Sequence, residues 1–144
     1  MLLVMKQFKL SFLNRFFFVS LWIFCGCTCT TTRAKDPVFL VDLLVIKKNI
    51  DSLIKFDRIT IGGQEKRTNG KLAEVLIVEI INPVNEPTDE KEFKKLTKEI
   101  AKIAKGALKD PASFNIYKIV FAKRKLGEIY NKDYHGSVFK REEL

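Results

Sequence analysis

Phe39, Leu43, Ile46, Ile50 and Leu53 recur at intervals of four, three, four and three residues, which is one face of a helix. Lys47, Lys48, Asp51 and Lys55 fall largely opposite. Asp36-Pro37 supplies a helix start, with the carboxylate as N-cap and proline at the first helical position. The pattern predicts a helix over 38–55. The competing reading is a strand over 38–46, where almost every residue is apolar. A second helical period follows the two-proline loop Asn82-Pro83-Val84-Asn85-Glu86-Pro87. Phe93, Leu96, Ile100, Ile103 and Ala107 form its seam, widened by Ala104 and Leu108. Thr88 or Asp89 can cap it, and Asp89, Glu90 and Glu92 put negative charge at the positive end of the helix dipole. Lys109-Asp110-Pro111 ends it. Burying Phe93, Leu96, Ile100, Ile103 and Leu108 is worth roughly 1.5–3 kcal/mol each before entropy is counted, so this helix must lie on an apolar surface.

Between the helices the period changes to two. Arg58-Ile59-Thr60-Ile61 alternates polar and β-branched residues, and 72–81 is rich in Val, Ile and Leu. Asn69-Gly70 between them is the signature of a tight hairpin, because a type I′ turn needs two successive residues at positive φ. A two-residue loop there sets Thr68 opposite Lys71, Ile61 opposite Val78 and Ile59 opposite Ile80. It also sets Glu65 opposite Glu74, a like-charge pair that counts against this register. Gly62-Gly63 suggests a bulge or bend. The run 75–81 is apolar on both sides except at Glu79, as in a central strand. Residues 115–122 form a third strand, and a fourth is weakly signalled around 136–140, inside a polar stretch (125–144) that otherwise reads as a loosely ordered tail. The expected fold is α+β in the order α-β-β-α-β: a small antiparallel or mixed sheet, a hairpin plus a third strand, with two helices on one face. The strand–helix–strand crossover should be right-handed.

Ahead of this domain the chain changes character. Lys6, Lys9 and Arg15 precede the apolar run 16–24, which ends at Cys25-Gly26-Cys27-Thr28-Cys29. A basic start, a short apolar stretch and small residues at its end are the parts of a secretory signal. The run is far shorter than the ~20 apolar residues a spanning helix needs. Phe24-Cys25-Gly26-Cys27 resembles the lipobox of bacterial lipoproteins, in which a small residue precedes an invariant cysteine. The resemblance covers about the first thirty residues and implies that Cys27 becomes the lipidated first residue of the mature chain, because Gly26 stands just before it. Cys25 follows Phe24 and Cys29 follows Thr28, which fit less well. Phe24 and Cys25 depart from the aliphatic and small residues preferred at those places. The resemblance implies a domain layout of 1–26 as signal peptide, 27–36 as lipidated cysteine and flexible tether, and 37–144 as one domain. It also implies a place in the cell envelope, anchored to a membrane. Thr28 after the cysteine leans toward the outer membrane, and the leaflet stays open. The alternatives are an uncleaved N-terminal anchor and a merely hydrophobic N-terminus on an internal protein.

The net charge of +9 falls to +6 once Lys6, Lys9 and Arg15 are removed. No cysteine follows Cys29, so the 118 residues from Cys27 onward must be held by packing, without a disulfide framework. The closely spaced Cys25, Cys27 and Cys29 do not make a zinc pattern, since no second ligand pair follows.

Catalytic chemistry is not legible. His135 is the only histidine, in a polar context, and reads as solvated. Ser52, Ser113 and Ser137 lie in no G-x-S-x-G elbow. The loop from Gly62 to Lys71 fails the P-loop spacing, because six residues separate Gly63 from Gly70 and Leu72 follows Lys71. Neither a cofactor nor a metal is expected. What remains is basic: Lys66, Arg67 and Lys71 at the hairpin tip, and Lys98, Lys102 and Lys105 in a helical stripe. Both suit anionic surfaces such as lipid headgroups or acidic polymers, and both also suit a plain solvated face. The expectation is therefore a lipid-anchored envelope protein with a non-catalytic binding or accessory role. Its partners would be the membrane and an envelope protein or anionic envelope polymer, with no nucleic acid. The alternatives are an inhibitor- or immunity-type interaction partner, or an enzyme whose dispersed site gathers groups such as Arg58, Thr60, Glu79 and Tyr117.

Overall fold

The computed structural model describes residues 30–124 and 133–144. The hairpin dictates the rest of the sheet. Asn69 and Gly70 both adopt positive φ (50° and 76°), as the type I′ turn requires. Strands β2 (Arg58–Thr68) and β3 (Lys71–Ile81) pair antiparallel from Thr68–Lys71 through to Arg58–Ile81, in the register the turn predicts. Glu65 does face Glu74. The repulsion is offset by cations: Lys35 Nζ donates to Glu74 Oε1, and Arg67 stands 3.6 Å from Glu65.

Gly62-Gly63 makes no bulge, since the pairing runs through both without a break. A Cβ at Gly63 would run into the Lys35 carbonyl oxygen and come within 2.6 Å of the Phe114 ring, whereas one at Gly62 meets open space. The glycine at 63 is there for close approach. Lys35 N donates to Gly63 O (2.9 Å), and Lys35 Nζ donates to Ser113 O (2.6 Å) and lies 5.0 Å from the Phe114 ring centroid.

That junction follows strand β1 (Thr30–Ala34), an edge strand beside β2. Of the tether expected over 27–36, Thr30–Ala34 is strand, while Lys35 and Asp36 are not. Three successive β-branched threonines and an edge with free ladder groups explain the difference.

The helix expected over 38–55 is shorter. Residues 38–40 are extended and cross-linked to the end of the second helix: Leu40 N donates to Ala107 O and Lys109 N to Val38 O, each at 2.8 Å, with Phe39 bridged to Leu108. Helix α1 (Leu43–Asp51) begins instead at Asp42, whose carboxylate accepts from Leu44 N (2.7 Å). Its buried seam is Ile46 and Ile50, continued by Ile54; Leu43 and Leu53 are exposed. Helix α2 (Glu90–Ala107) starts at Asp89, which accepts from Glu92 N (3.0 Å), as the acidic first turn predicts. It buries Phe93, Thr97, Ile100, Ala101, Ala104 and Ala107, with Leu96 and Ile103 half-buried. Thr97 is the departure from the expected seam. Its hydroxyl donates to Phe93 O (2.9 Å) and meets the Ser137 hydroxyl at 2.9 Å, so a buried polar group is satisfied.

After a 3₁₀ turn (Pro111–Ser113), strand β4 (Ile116–Lys123) pairs parallel with β3, the two joined through α2. Strand β5 (Asp133–Lys140) pairs antiparallel with β4, from Ile116–Lys140 to Lys123–Asp133. The second half of the expected tail is therefore a full strand; residues 125–132 lie outside the described residues. The sheet is mixed, with five strands in chain order, and the fold is α+β with both helices on one face. Leu76, Val78 and Ile80 of β3, Tyr117, Ile119 and Phe121 of β4, and Phe139 of β5 form the core against Ile46, Ile50, Ile100 and Ala104.

Tyr117 is fully buried, and its hydroxyl donates to Pro111 O (3.2 Å). Burial pushes its phenol above the usual value; Arg141 opposes the rise and Asp110 adds to it. The unfolded chain therefore loses this proton first as pH climbs. The stability tied to the neutral phenol is whole below about pH 10 and is lost as pH rises through the folded value. Urea titration of Tyr117→Phe should show a loss of about 1 kcal/mol at neutral pH and a shallower decline than wild type above pH 10. In the same assay Gly63→Ala should cost about 1–3 kcal/mol while Gly62→Ala stays near zero. Equal costs at the two glycines would contradict the close approach at Gly63.

Candidate binding face of the sheet

Strand alternation sends one set of side chains away from the helices. On this helix-free side lie Gln64, Lys66 and Thr68 of β2, Lys71, Ala73, Val75, Ile77 and Glu79 of β3, Ile116, Lys118 and Val120 of β4, and Tyr134, Gly136 and Val138 of β5. Two hollows indent it. One, of about 370 Å³, is lined by Ile77, Glu79, Lys118, Val120, Tyr134 and Val138 among others. The other, of about 560 Å³, runs toward the hairpin turn past Lys66, Lys71, Val75 and Ile116. Lys118 and Val138 belong to both, so the hollows meet there. The floor is aliphatic and the walls carry cations. Val138 is 60% exposed, an apolar side chain held out on a strand. At the far end Glu79 Oε1 accepts from Arg124 Nη2 (2.7 Å), and Arg124 N donates to Asn82 Oδ1 (2.7 Å). Arg124 Nε is buried there without an acceptor among the described residues.

The expected cations separate. Lys66 and Lys71 line the larger hollow and have no carboxylate partner among the described residues. Arg67, the next residue along β2, turns to the other face beside Glu65. Lys98, Lys102 and Lys105 lie on α2, across the sheet from the hollows. Lys102 Nζ donates to Glu99 Oε1 (2.8 Å) and holds that carboxyl below its ordinary range, while Lys105 Nζ donates to Arg141 O (3.1 Å). The helical stripe and the hairpin tip thus do not form one anion site. Cys27 lies outside the described residues.

Lys118 and Val138 were the members missed. Their signal is the alternation within 116–121, where Ile116, Lys118 and Val120 interleave with the core residues Tyr117, Ile119 and Phe121. The dispersed enzyme site is not assembled as expected: Glu79 lines a hollow, but Tyr117 is buried on the opposite face.

His135 is about half-exposed, as expected of a solvated residue, but its expected setting is corrected. It is not a tail residue but a member of β5, with its ring on Phe93 (centroids 4.2 Å apart, planes at 30°) and its Nε2 2.5 Å from Glu86 Oε1. Glu86 is 90% buried in the proline loop, and Lys123 reaches its other oxygen at 3.7 Å. Two residues at positive φ, Asn82 and Asn85 (53° and 55°), shape this loop. The serines are committed elsewhere: Ser52 and Ser113 donate to the Asn49 and Asp110 carbonyls, and Ser137 meets Thr97. Among the described residues no three His, Cys, Asp or Glu side chains converge, and no helix is long and apolar enough to cross a membrane. Chemically, this face can hold an elongated ligand with apolar surface against Val75, Ile77, Val120 and Val138 and negative charge toward Lys66, Lys71 and Lys118.

No protein-family profile matches the chain, and no curated protein does. Among solved structures, the crystal structure of the sex pheromone staph-cAM373 precursor is similar over 78% of this chain and 40% of that one, at 14% identity and a TM-score of 0.41. The chain therefore spans less than half the length of that protein, and the likeness is too slight to assign a fold or a role.

Proposed function

We propose that the protein is a lipid-anchored component of the bacterial envelope, attached through Cys27, and that its helix-free sheet face binds an anionic envelope polymer without transforming it. The observation that carries the binding role is the meeting of two hollows at Lys118 and Val138, with three lysines that have no carboxylate partner among the described residues over an aliphatic floor. The leader carries the location: a basic start, a short apolar run and Gly26-Cys27. Cation and floor act together. A lysine on open water gains little from a distant anion, because salt screens it. The same lysine beside Val75 and Val138 meets its partner at a partly dehydrated surface, where the attraction is stronger.

Two measurements test the two halves. Intact mass of the membrane-extracted protein should show loss of the residues before Cys27 and a gain of acyl mass, and Cys27→Ala should show neither. A wild-type chain still beginning at Met1 without acyl mass rejects the anchor. For the binding face, inorganic polyphosphate serves as the anionic polymer. Lys66→Glu combined with Lys118→Glu should weaken its binding on the order of tenfold, with a shallower salt dependence, whereas Lys98→Glu with Lys102→Glu should leave it within about twofold. Equal losses from both pairs would reduce the site to general basicity.

A further inference from the structure

Residues 38–45 hold six large apolar side chains in water: Val38, Leu40, Val41, Leu43, Leu44 and Val45, with Leu40 at 67% and Leu44 at 72% exposure. Isolated exposed leucines need no account, but a contiguous run of them marks a contact surface. The backbone explains why they cannot fold inward. The Leu40–Ala107 and Val38–Lys109 hydrogen bonds fix residues 38–40 as a short extended segment. Phe39 then points to the core and its neighbours point out. Asp42 caps α1, whose first turn presents Leu43, Leu44 and Val45 outward while Ile46 and Ile50 fill the core. Hydrogen bonds thus hold the knob at both ends.

We infer that this knob inserts into the surface of an anionic lipid bilayer, as a second contact beside the acylated Cys27; the inference rests on the lipoprotein reading for its geometry. Two observations favour a bilayer. The first is position in the chain. Cys27 precedes strand β1 by three residues, which span at most about 10 Å, so an anchor there keeps the domain against the headgroups. The knob begins four residues after β1 ends. Confinement at that distance raises the effective concentration of any membrane-seeking surface on the domain. The second is charge. Exposed Lys47 and Lys48 follow the knob on α1, and Lys109 is joined through its backbone to Val38. Asp36, Asp42 and Asp110 match these lysines in number, but Asp42 and Asp110 are turned to the backbone N–H groups at Leu44 and Ala112, and the three lysines have no carboxylate partner among the described residues. Apolar side chains flanked by lysines suit the boundary between acyl chains and anionic headgroups.

The test uses the full chain in a Trp22→Phe background, which removes its only tryptophan. Leu44→Trp places the reporter on the knob, and Thr60→Trp places it on the helix-free face. Each is mixed with vesicles of phosphatidylglycerol and brominated phosphatidylcholine, and intact mass records whether Cys27 is acylated. Leu44→Trp should shift to the blue and be quenched about twofold or more beyond Thr60→Trp, as expected for a side chain at the acyl boundary, and should lose the effect in vesicles lacking phosphatidylglycerol. Adding Leu40→Glu should also abolish it. Equal quenching at both positions, or none at Leu44→Trp, overturns the inference. A blue shift without vesicles, accompanied by the mass of a dimer, assigns the knob to a second copy and also overturns it. Quenching in a chain whose Cys27 is unacylated upholds the knob and removes the anchor alone.

Discussion

Strand β3 must find cover on two sides, and the rest of the domain follows from that need. Leu76, Val78 and Ile80 face the helices, while Val75, Ile77 and Ile81 face away. Such a strand is stable only inside a sheet. The hairpin supplies β2 on one edge at the cost of a two-residue turn. The other edge is filled by a parallel strand, which demands a crossover, and α2 is that crossover. The helix stripe of Phe93, Ile100, Ala101 and Ala104 then covers one face. The alanines let the helix approach the sheet closely. No second crossover exists among the described residues to cover the other face, so its aliphatic positions remain as the floor of two hollows.

The same economy appears at the β1–β2 edge. A like-charge pair imposed by the hairpin register would weaken the sheet, yet Lys35 answers Glu74 while also reaching the Ser113 carbonyl and the Phe114 ring. One side chain thereby ties β1, β3 and the turn before β4 together. Gly63 makes room for it.

Local chemistry was legible and long-range pairing was not. Asn69-Gly70 announced both the turn and the register, because a type I′ turn leaves one pairing open. Asp89 and the acids after it announced the start of α2. The N-terminus of α1 was misplaced because Asp36-Pro37 is a good local cap, whereas the cap in use, Asp42, is selected by residues 38–40 pairing with the end of α2, some seventy positions away. Strand β1 was hidden for a similar reason: Thr30-Thr31-Thr32 is as polar as a linker, and only the vacant edge of β2 makes it a strand. At the binding face, Lys66 and Lys71 were visible as hairpin-tip charges. Lys118 was visible only as one more lysine, since its meeting with Val138 depends on the β4–β5 pairing. The His135–Glu86 contact carried no signal at all, because a proline loop brings the partner from 49 positions away.

The central claim is that the side of the sheet left bare by the helices is where this protein meets its ligand. Amide resonances of the isotope-labelled protein, followed during titration with polyphosphate, test it residue by residue. The account predicts shifts that concentrate at Ile77, Lys118, Gly136 and Val138 and fade across the sheet. Shifts confined to α2 around Lys98, Lys102 and Lys105 would contradict it and return the charge to a helix surface.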